Sequence, residues 1–291
     1  MPRVPALETV GIERIARGST AATCRMRAPG ALLDEDGVTA AGALAVLADG
    51  VLGFAITFGV PRVMGMVTTH LHLELLRALP HGEITLDASG RRQGVEGTFA
   101  IGQADIATAN GAPLAQATIG ALFLERPPPN EHPHAVTPTG QPSHPAPTHA
   151  PAPAVAAPPP AHRLVRGAPV HELLGTRVRR AGRHGVRMTV ETKPSFANSM
   201  GGVHGGVGVL MGERALDLAL RAAIRDERRL RPVELRAAFL RPIVADGRAV
   251  ECHAAVMHLG RRLAAVRGEV RDHDGRTAVL VDATYVARDD A

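Results

Sequence analysis

NSMGGVHGGVGVLMGE, running from Asn198 to Glu213, is the stretch on which the fold turns. A polar Asn precedes His204-Gly205-Gly206 at the mouth of a long apolar segment, and a carboxylate follows nine residues after the His. The length of that segment and its Ala and Leu content predict a helix, despite several glycines. Helix N-termini present unpaired N–H groups and the positive end of a dipole, which suit a developing oxyanion. Gly205 lets a substrate carbonyl approach those amides closely. A lone His-Gly-Gly is an ordinary turn capping a buried helix. Asn, His, two glycines and an in-helix acid at this spacing point to a site.

A second segment of the same kind lies 164 residues upstream, from Gly42 to Phe58 (GALAVLADGVLGFAITF). At that shift Glu8, Gly11, Gly18, Gly37, Gly42 and Leu52 fall on Glu172, Gly175, Gly182, Gly201, Gly206 and Leu216, and Leu76-Arg77 on Leu240-Arg241. Four of the matches are glycines, whose backbone demands make coincidence less credible, so the chain reads as a diverged internal repeat. Each half opens with a short strand, Thr20 to Met26 and Gly185 to Glu191. Beyond each helix come alternating stretches suited to antiparallel strands, beginning at Thr68, Thr98 and Ala115 in the first half and at Val233, Val250, Ala264 and Ala278 in the second. Asn110-Gly111 and Asp274-Gly275 supply hairpin turns. The expectation is an α+β architecture, one helix followed by a four-strand meander, twice over.

Between the halves, residues 127–160 hold 13 of the 23 prolines. That density prevents helix and sheet ladders and predicts a disordered, extended tether. The domains are therefore expected at 1–126 and 163–291, joined by a linker at 127–162. His132, His134, His144 and His149 lie in it at irregular spacing, which favours a plain linker over a metal site.

The 291 residues are 45% hydrophobic, enough for a sizeable core. No apolar run is long enough to cross a bilayer, and the N-terminus lacks the pattern of a signal peptide. Cys24 and Cys252 have no metal-ligand spacing and read as reduced thiols, which places the protein in the cytoplasm. The net charge of +5 comes almost wholly from arginine. With one Tyr, no Trp and no concentrated basic tract, base stacking has no platform, so nucleic acid is not expected as a partner. The same charge suits a small polyphosphate ligand.

The run from Asn198 to Pro242 resembles hotdog-fold acyl-CoA thioesterases of the phenylacetate-pathway type. The resemblance rests on Asn198, His204-Gly205-Gly206, the in-helix acid, and the Phe239-Leu-Arg-Pro242 turn, and it extends weakly over both flanks of the tether. It implies two hotdog units, each a long helix wrapped by an antiparallel sheet, forming a dimer within one chain. It also implies an acyl-CoA substrate and no cofactor or metal. In such enzymes the first glycine's N–H, here Gly205 with Gly206 beside it, polarises the thioester carbonyl with help from the Asn. A carboxylate is base or nucleophile, and a Thr or Ser places the water. Acid and oxyanion element come from different units.

Crossing the halves gives two unequal sites. One combines Asn198, His204 and Gly205 with Asp49 and Thr68, and fills every role. The other combines Asp34, Ala40 and Ala41 with Glu213 and Pro232, and leaves most roles vacant. One working composite site per chain is expected, with Glu213 as the acid of the weaker one. Arg77 and Arg241 precede turns at matching positions, where they could meet CoA phosphates or simply be solvated. His70 and His72 share a strand face with Thr68, but no third metal ligand is evident. The glycine-bearing helix from Gly42 is suited to line a pocket for medium-chain or aromatic acyl groups. Two other readings stay open: a non-catalytic acyl-ligand binding module and, more weakly, a hydroxyacyl-thioester dehydratase. The pseudo-dimer could pair again into a homodimer of four hotdog units.

Overall fold

A computed structural model describes residues 3–58, 60, 63–125, 167–224 and 230–287. The expected tether and its four histidines lie outside the described residues. Each half begins with a short helix, α1 (Pro5–Thr9) or α3 (Pro169–Leu174), and a strand pair, β1 (Ile12–Arg17) with β2 (Ala21–Arg27) or β7 (Arg177–Gly182) with β8 (Gly185–Glu191). The long helices follow as α2 (Ala41–Thr57) and α4 (Gly205–Ala223). After them come β3 (Val63–Leu75), β4 (Thr85–Glu96), β5 (Phe99–Thr108) and β6 (Pro113–Glu125), and then β9 (Leu230–Phe239), β10 (Ala249–Leu259), β11 (Leu263–Arg271) and β12 (Thr277–Ala287).

The strands form one twelve-stranded antiparallel sheet in the order β1-β2-β4-β5-β6-β3-β9-β12-β11-β10-β8-β7. This corrects the expected meander. Of the four strands after each long helix, only three run as neighbours in sequence, β4-β5-β6 and β10-β11-β12; β3 crosses to the centre, between β6 and β9, and β4 pairs with β2 instead, while β9 lies between β3 and β12. β4 itself escapes the sequence reading because its second half, GRRQGVE, is polar and largely exposed. The sheet is continuous across the chain's midpoint, with His70 opposite Ala238 and Glu74 opposite Glu234. These pairs exchange under the shift of 164, so a pseudo-two-fold axis passes between β3 and β9.

Both long helices are buried on nearly every side, α2 through a sequence apolar but for Asp49 and Thr57, and α4 with Glu213, Arg214, Asp217 and Arg221 among its apolar residues. They cross each other at the glycines found in the repeat. A Cβ on Gly42 would lie 2.5 Å from Leu210 Cα, and one on Gly206 would lie 2.4 Å from Val46 Cα. Only glycine admits so close a crossing. The halves also exchange their N-terminal helices. Ala6 N–H donates to Ala197 O at 3.1 Å, and Val170 N–H donates to Leu33 O at 3.1 Å, another pair related by 164. Cys24 and Cys252 are buried and unpaired, and burial pushes both thiols upward, Cys24 to about 12.

Candidate active site

The first-half acid meets the second-half helix. Asp49, 5% exposed on the inner face of α2, accepts a hydrogen bond at Oδ2 from Gly206 N–H at 2.9 Å. Thr68 of β3 donates its hydroxyl to Asp49 Oδ1 at 2.7 Å. His204, the N-cap of α4, brings Nδ1 to 3.3 Å from Asp49 Oδ2 without hydrogen-bond alignment. Burial pushes the imidazole toward its neutral form, and the Asp49 charge opposes that. Among the described residues no group accepts the N–H of Gly205, which follows His204 at the first helical position. A Cβ there would stand 2.7 Å from Asp49 Oδ2, so the position requires glycine. One amide thus holds the carboxylate while its neighbour stays free to donate.

Asn198 shapes the loop before it faces any ligand. Its Oδ1 accepts from Met200 N–H at 2.8 Å and Gly202 N–H at 3.1 Å, closing an Asx turn. Asp34 does the same 164 residues earlier, with Asp36 and Val38 as donors. The two turns differ chemically in one group: Asn198 retains an NH2 donor where Asp34 has a second acceptor oxygen. A β-bulge at Thr69, where the register of β3 against β6 shifts, sets Thr68 and Thr69 into the same cavity wall. The register of β12 against β9 shifts at the equivalent Val233.

These groups border a cavity of about 840 Å3. Asp49, Thr68, Asn198, His204 and Gly205 line it, and Arg241 and Leu240 of the Phe-Leu-Arg-Pro turn stand in its wall. Gly206 reaches the site through its amide alone. Two residues expected to bind or react lie elsewhere. Arg77 is an exposed residue beyond the end of β3, away from the cavity lining. Glu213 sits in the pseudo-equivalent place, where the space is about 30 Å3. His72 pairs with Glu234 at 2.9 Å on the sheet, and no group of three metal-ligating side chains occurs among the described residues.

An ionic cluster fills that second place. Arg214, nearly fully buried, lies 2.5 Å from Asp217, 3.5 Å from Glu213, 3.6 Å from Glu35 and 3.9 Å from Asp34. Arg221 adds pairs to Asp217 and Asp36, and His171 Nε2 lies 2.7 Å from Glu35. Burial raises the Glu213 carboxyl to about 7, with Asp217, Asp34 and Glu35 adding to the rise and Arg214 opposing it. For Glu35, burial is outweighed by Arg214 and the His171 hydrogen bond, and its carboxyl falls to about 2. At the matching positions, the open site has Gly50 for Arg214, Gly53 for Asp217, Thr57 for Arg221 and Leu7 for His171. Gly50 and Gly53 were not singled out from the sequence, although each costs a helix interior roughly 1 kcal/mol relative to Ala and so asks for a reason.

Residues 200–279, most of the second half, match the Thioesterase superfamily model. No curated protein matches the sequence. Among solved structures, the chain is similar to an acyl-CoA thioesterase II from Mycobacterium marinum, with a TM-score of 0.62 at 13% identity over 97% of both chains. It is also similar to a tesB protein from Mycobacterium avium subs paratuberculosis, with a TM-score of 0.66 at 13% identity over 97% of this chain and 98% of the other. A protein with a hot dog fold from Alicyclobacillus acidocaldarius gives 0.64 at 11% identity over 98% and 99%. The fold follows: a tandem hotdog architecture, two units in one chain, the second of which carries the match to the Thioesterase superfamily model. More narrowly, the whole-chain fold is the one seen in the acyl-CoA thioesterase II from Mycobacterium marinum.

Proposed function

We propose that the chain hydrolyses an acyl-CoA thioester at one composite site built from both halves. The observation that carries the reading is the Asp49 carboxylate held by Gly206 N–H at 2.9 Å, beside the Gly205 N–H, which has no acceptor among the described residues, at the head of a helix opening on a large cavity. The thioester carbonyl oxygen accepts from Gly205 N–H, reinforced by the helix dipole and by the Asn198 NH2. Asp49 takes a proton from a water, and the hydroxide adds to the carbonyl carbon. The tetrahedral oxyanion rests on Gly205. As it collapses, the C–S bond breaks and the CoA thiolate recovers the proton from Asp49, leaving free acid and CoA thiol.

Thr68 fixes the rotamer of Asp49, and neutral His204 shields the carboxylate from bulk water without neutralising it. Arg241 in the cavity wall is placed to meet the CoA phosphates. The test is thiol release from short, medium, long and aromatic acyl-CoAs by wild type, Asp49→Asn and Glu213→Gln. Asp49→Asn should lower kcat by about 100- to 10,000-fold, the usual contribution of a positioned base. Glu213→Gln should retain turnover. Loss of activity with Glu213→Gln alone would overturn the pairing of halves, and no hydrolysis by wild type would favour an acyl-ligand binding module.

A further inference from the structure

We propose that the stripe of α2 running from Asp49 through Gly50, Gly53, Phe54, Thr57 and Phe58 is the channel for an unbranched medium-chain acyl group, and that Gly53 sets the length admitted. The proposal rests on the acyl-CoA reading of the site and names its substrate class. Asp49, Gly50, Gly53, Phe54 and Thr57 recur at i, i+1, i+4, i+5 and i+8, which is one face of a helix, Phe58 follows at the extended C-cap, and all of them line the cavity. At 1.5 Å per residue the stripe runs roughly 13 Å beyond Asp49. An extended alkyl chain advances about 1.25 Å per carbon, given C–C bonds of about 1.5 Å, so the face matches about ten carbons. Beyond Asp49 the stripe carries no charge, and its far end is made of the Phe54 and Phe58 rings. The guanidinium groups of Arg14 and Arg17 lie over those rings at 5.1 and 4.4 Å.

The repeat supplies the comparison. On α4 the matching stripe reads Glu213, Arg214, Asp217, Leu218, Arg221 and Ala222, and there the backbone frame encloses about 30 Å3 rather than about 840 Å3. Side chains, not the backbone fold, therefore separate an open place from a filled one, and this stripe supplies the charges that the Asp34–Asp36 loop meets there, with His171 pairing to Glu35 of that loop. Gly53 is the position where bulk would enter the channel directly. A Cβ built on it meets only the Met66 side-chain terminus, at 3.7 Å, an ordinary contact. At Gly50, by contrast, a Cβ would come to 2.8 Å from Leu7 Cδ2, so it would press on the Leu7 side chain before it reached a ligand.

The experiment compares kcat/KM for butanoyl-, octanoyl- and decanoyl-CoA in wild type, Gly53→Ala and Gly53→Leu. Each methylene kept out of the channel costs roughly fourfold. A Leu side chain displacing about three of them should lower the decanoyl-to-butanoyl ratio roughly sixtyfold, with Gly53→Ala between. A ratio within threefold of wild type for both variants overturns the proposal. Equilibrium binding of butanoate, octanoate and decanoate to the same proteins makes the comparison without turnover. Loss of decanoate binding in Gly53→Leu supports the channel even if wild type hydrolyses no acyl-CoA, an outcome that would sink the catalytic reading alone. Equal decanoate binding by all three proteins overturns the channel whatever the hydrolysis shows.

Discussion

Ala substituted at two positions of the same helix should have opposite effects, and the sign tests whether the halves truly cross at their glycines. Gly→Ala inside a helix ordinarily stabilises by up to about 1 kcal/mol, because Ala restricts the unfolded chain and suits the helix. At Gly53 the new methyl meets nothing closer than the Met66 terminus at 3.7 Å, so that gain should appear almost whole. At Gly42 the methyl would lie 2.5 Å from Leu210 Cα and 3.1 Å from its Cβ. Those are backbone-anchored atoms, and ordinary contact needs about 1 Å more, so the two helices must separate. Overpacking of this kind costs about 1–3 kcal/mol, which exceeds the propensity gain. Gly42→Ala should therefore be less stable than wild type, and, because the propensity gain is common to both, the two variants should differ by the overpacking cost, roughly 1–3 kcal/mol. Urea unfolding followed by circular dichroism, read as the shift in midpoint at constant slope, measures the difference. If both variants were stabilised by similar amounts, the close crossing of α2 and α4, and the intramolecular dimer built on it, would be refuted.

Other outcomes follow from the two unequal sites. Thr68→Val removes a hydroxyl donor to a buried charged acceptor, an interaction worth about 1.5–3 kcal/mol, so the stability read from the urea midpoint should fall by about that much, and kcat in the thiol-release assay should fall as Asp49 loses the partner that fixes its rotamer; an unchanged midpoint would mean that Asp49 does not depend on this hydroxyl. Arg214→Met strips the buried cation from Asp34, Glu35, Glu213 and Asp217 and should cost about 3–5 kcal/mol, seen as a large drop in thermal stability; an unchanged midpoint would mean the cluster does not depend on the cation. Glu213 gives a pH signature. Its folded pKa of about 7 lies above the unfolded value near 4.5, so the folded state binds the extra proton between them and stability falls as pH rises through that window, by about 3 kcal/mol in all. Glu213→Gln should flatten that slope in urea titrations between pH 4.5 and 7, whereas Glu35, lowered to about 2, destabilises only below that window. An unaltered slope would mean that Glu213 is ionised throughout.

Sequence carried the repeat further than it carried the sheet. The shift of 164 read from a few glycines is the relation that pairs Gly42 with Gly206 at the helix crossing, Ala6 with Val170 at the exchanged helices, and Asp34 with Asn198 at the Asx turns. Local signals sufficed because each is a backbone demand repeated twice. Strand order was not legible in the same way. Whether β3 pairs with β4 or with β6 and β9 depends on partners distant in sequence, and alternation alone is blind to partner choice. At the site, the Asn, His-Gly-Gly and in-helix acid could be read from their spacing, whereas Asp49 and Thr68 came from the family resemblance carried across the repeat, and the fold sets them beside His204-Gly205-Gly206. The ionic cluster around Arg214 stayed hidden, since it draws on α3, α4 and the loop at Asp34–Asp36, and the charges of α4 alone do not announce partners that distant in sequence. Asn198 was read for its amide donor, while the turn held by its carbonyl oxygen emerged only from the folded loop.

The exchanged helices and shared sheet bear on how such a chain can change over generations. In an assembly of two identical subunits every substitution is made twice, so Gly to Arg on the stripe facing the ligand would fill both chambers at once and abolish function. Fusion of the copies lifts that restriction. Position 50 can remain Gly while position 214 becomes Arg, and one chamber is given over to charge pairing while the other keeps its opening. The joined copies are free to specialise because a mutation in either is no longer echoed in the other.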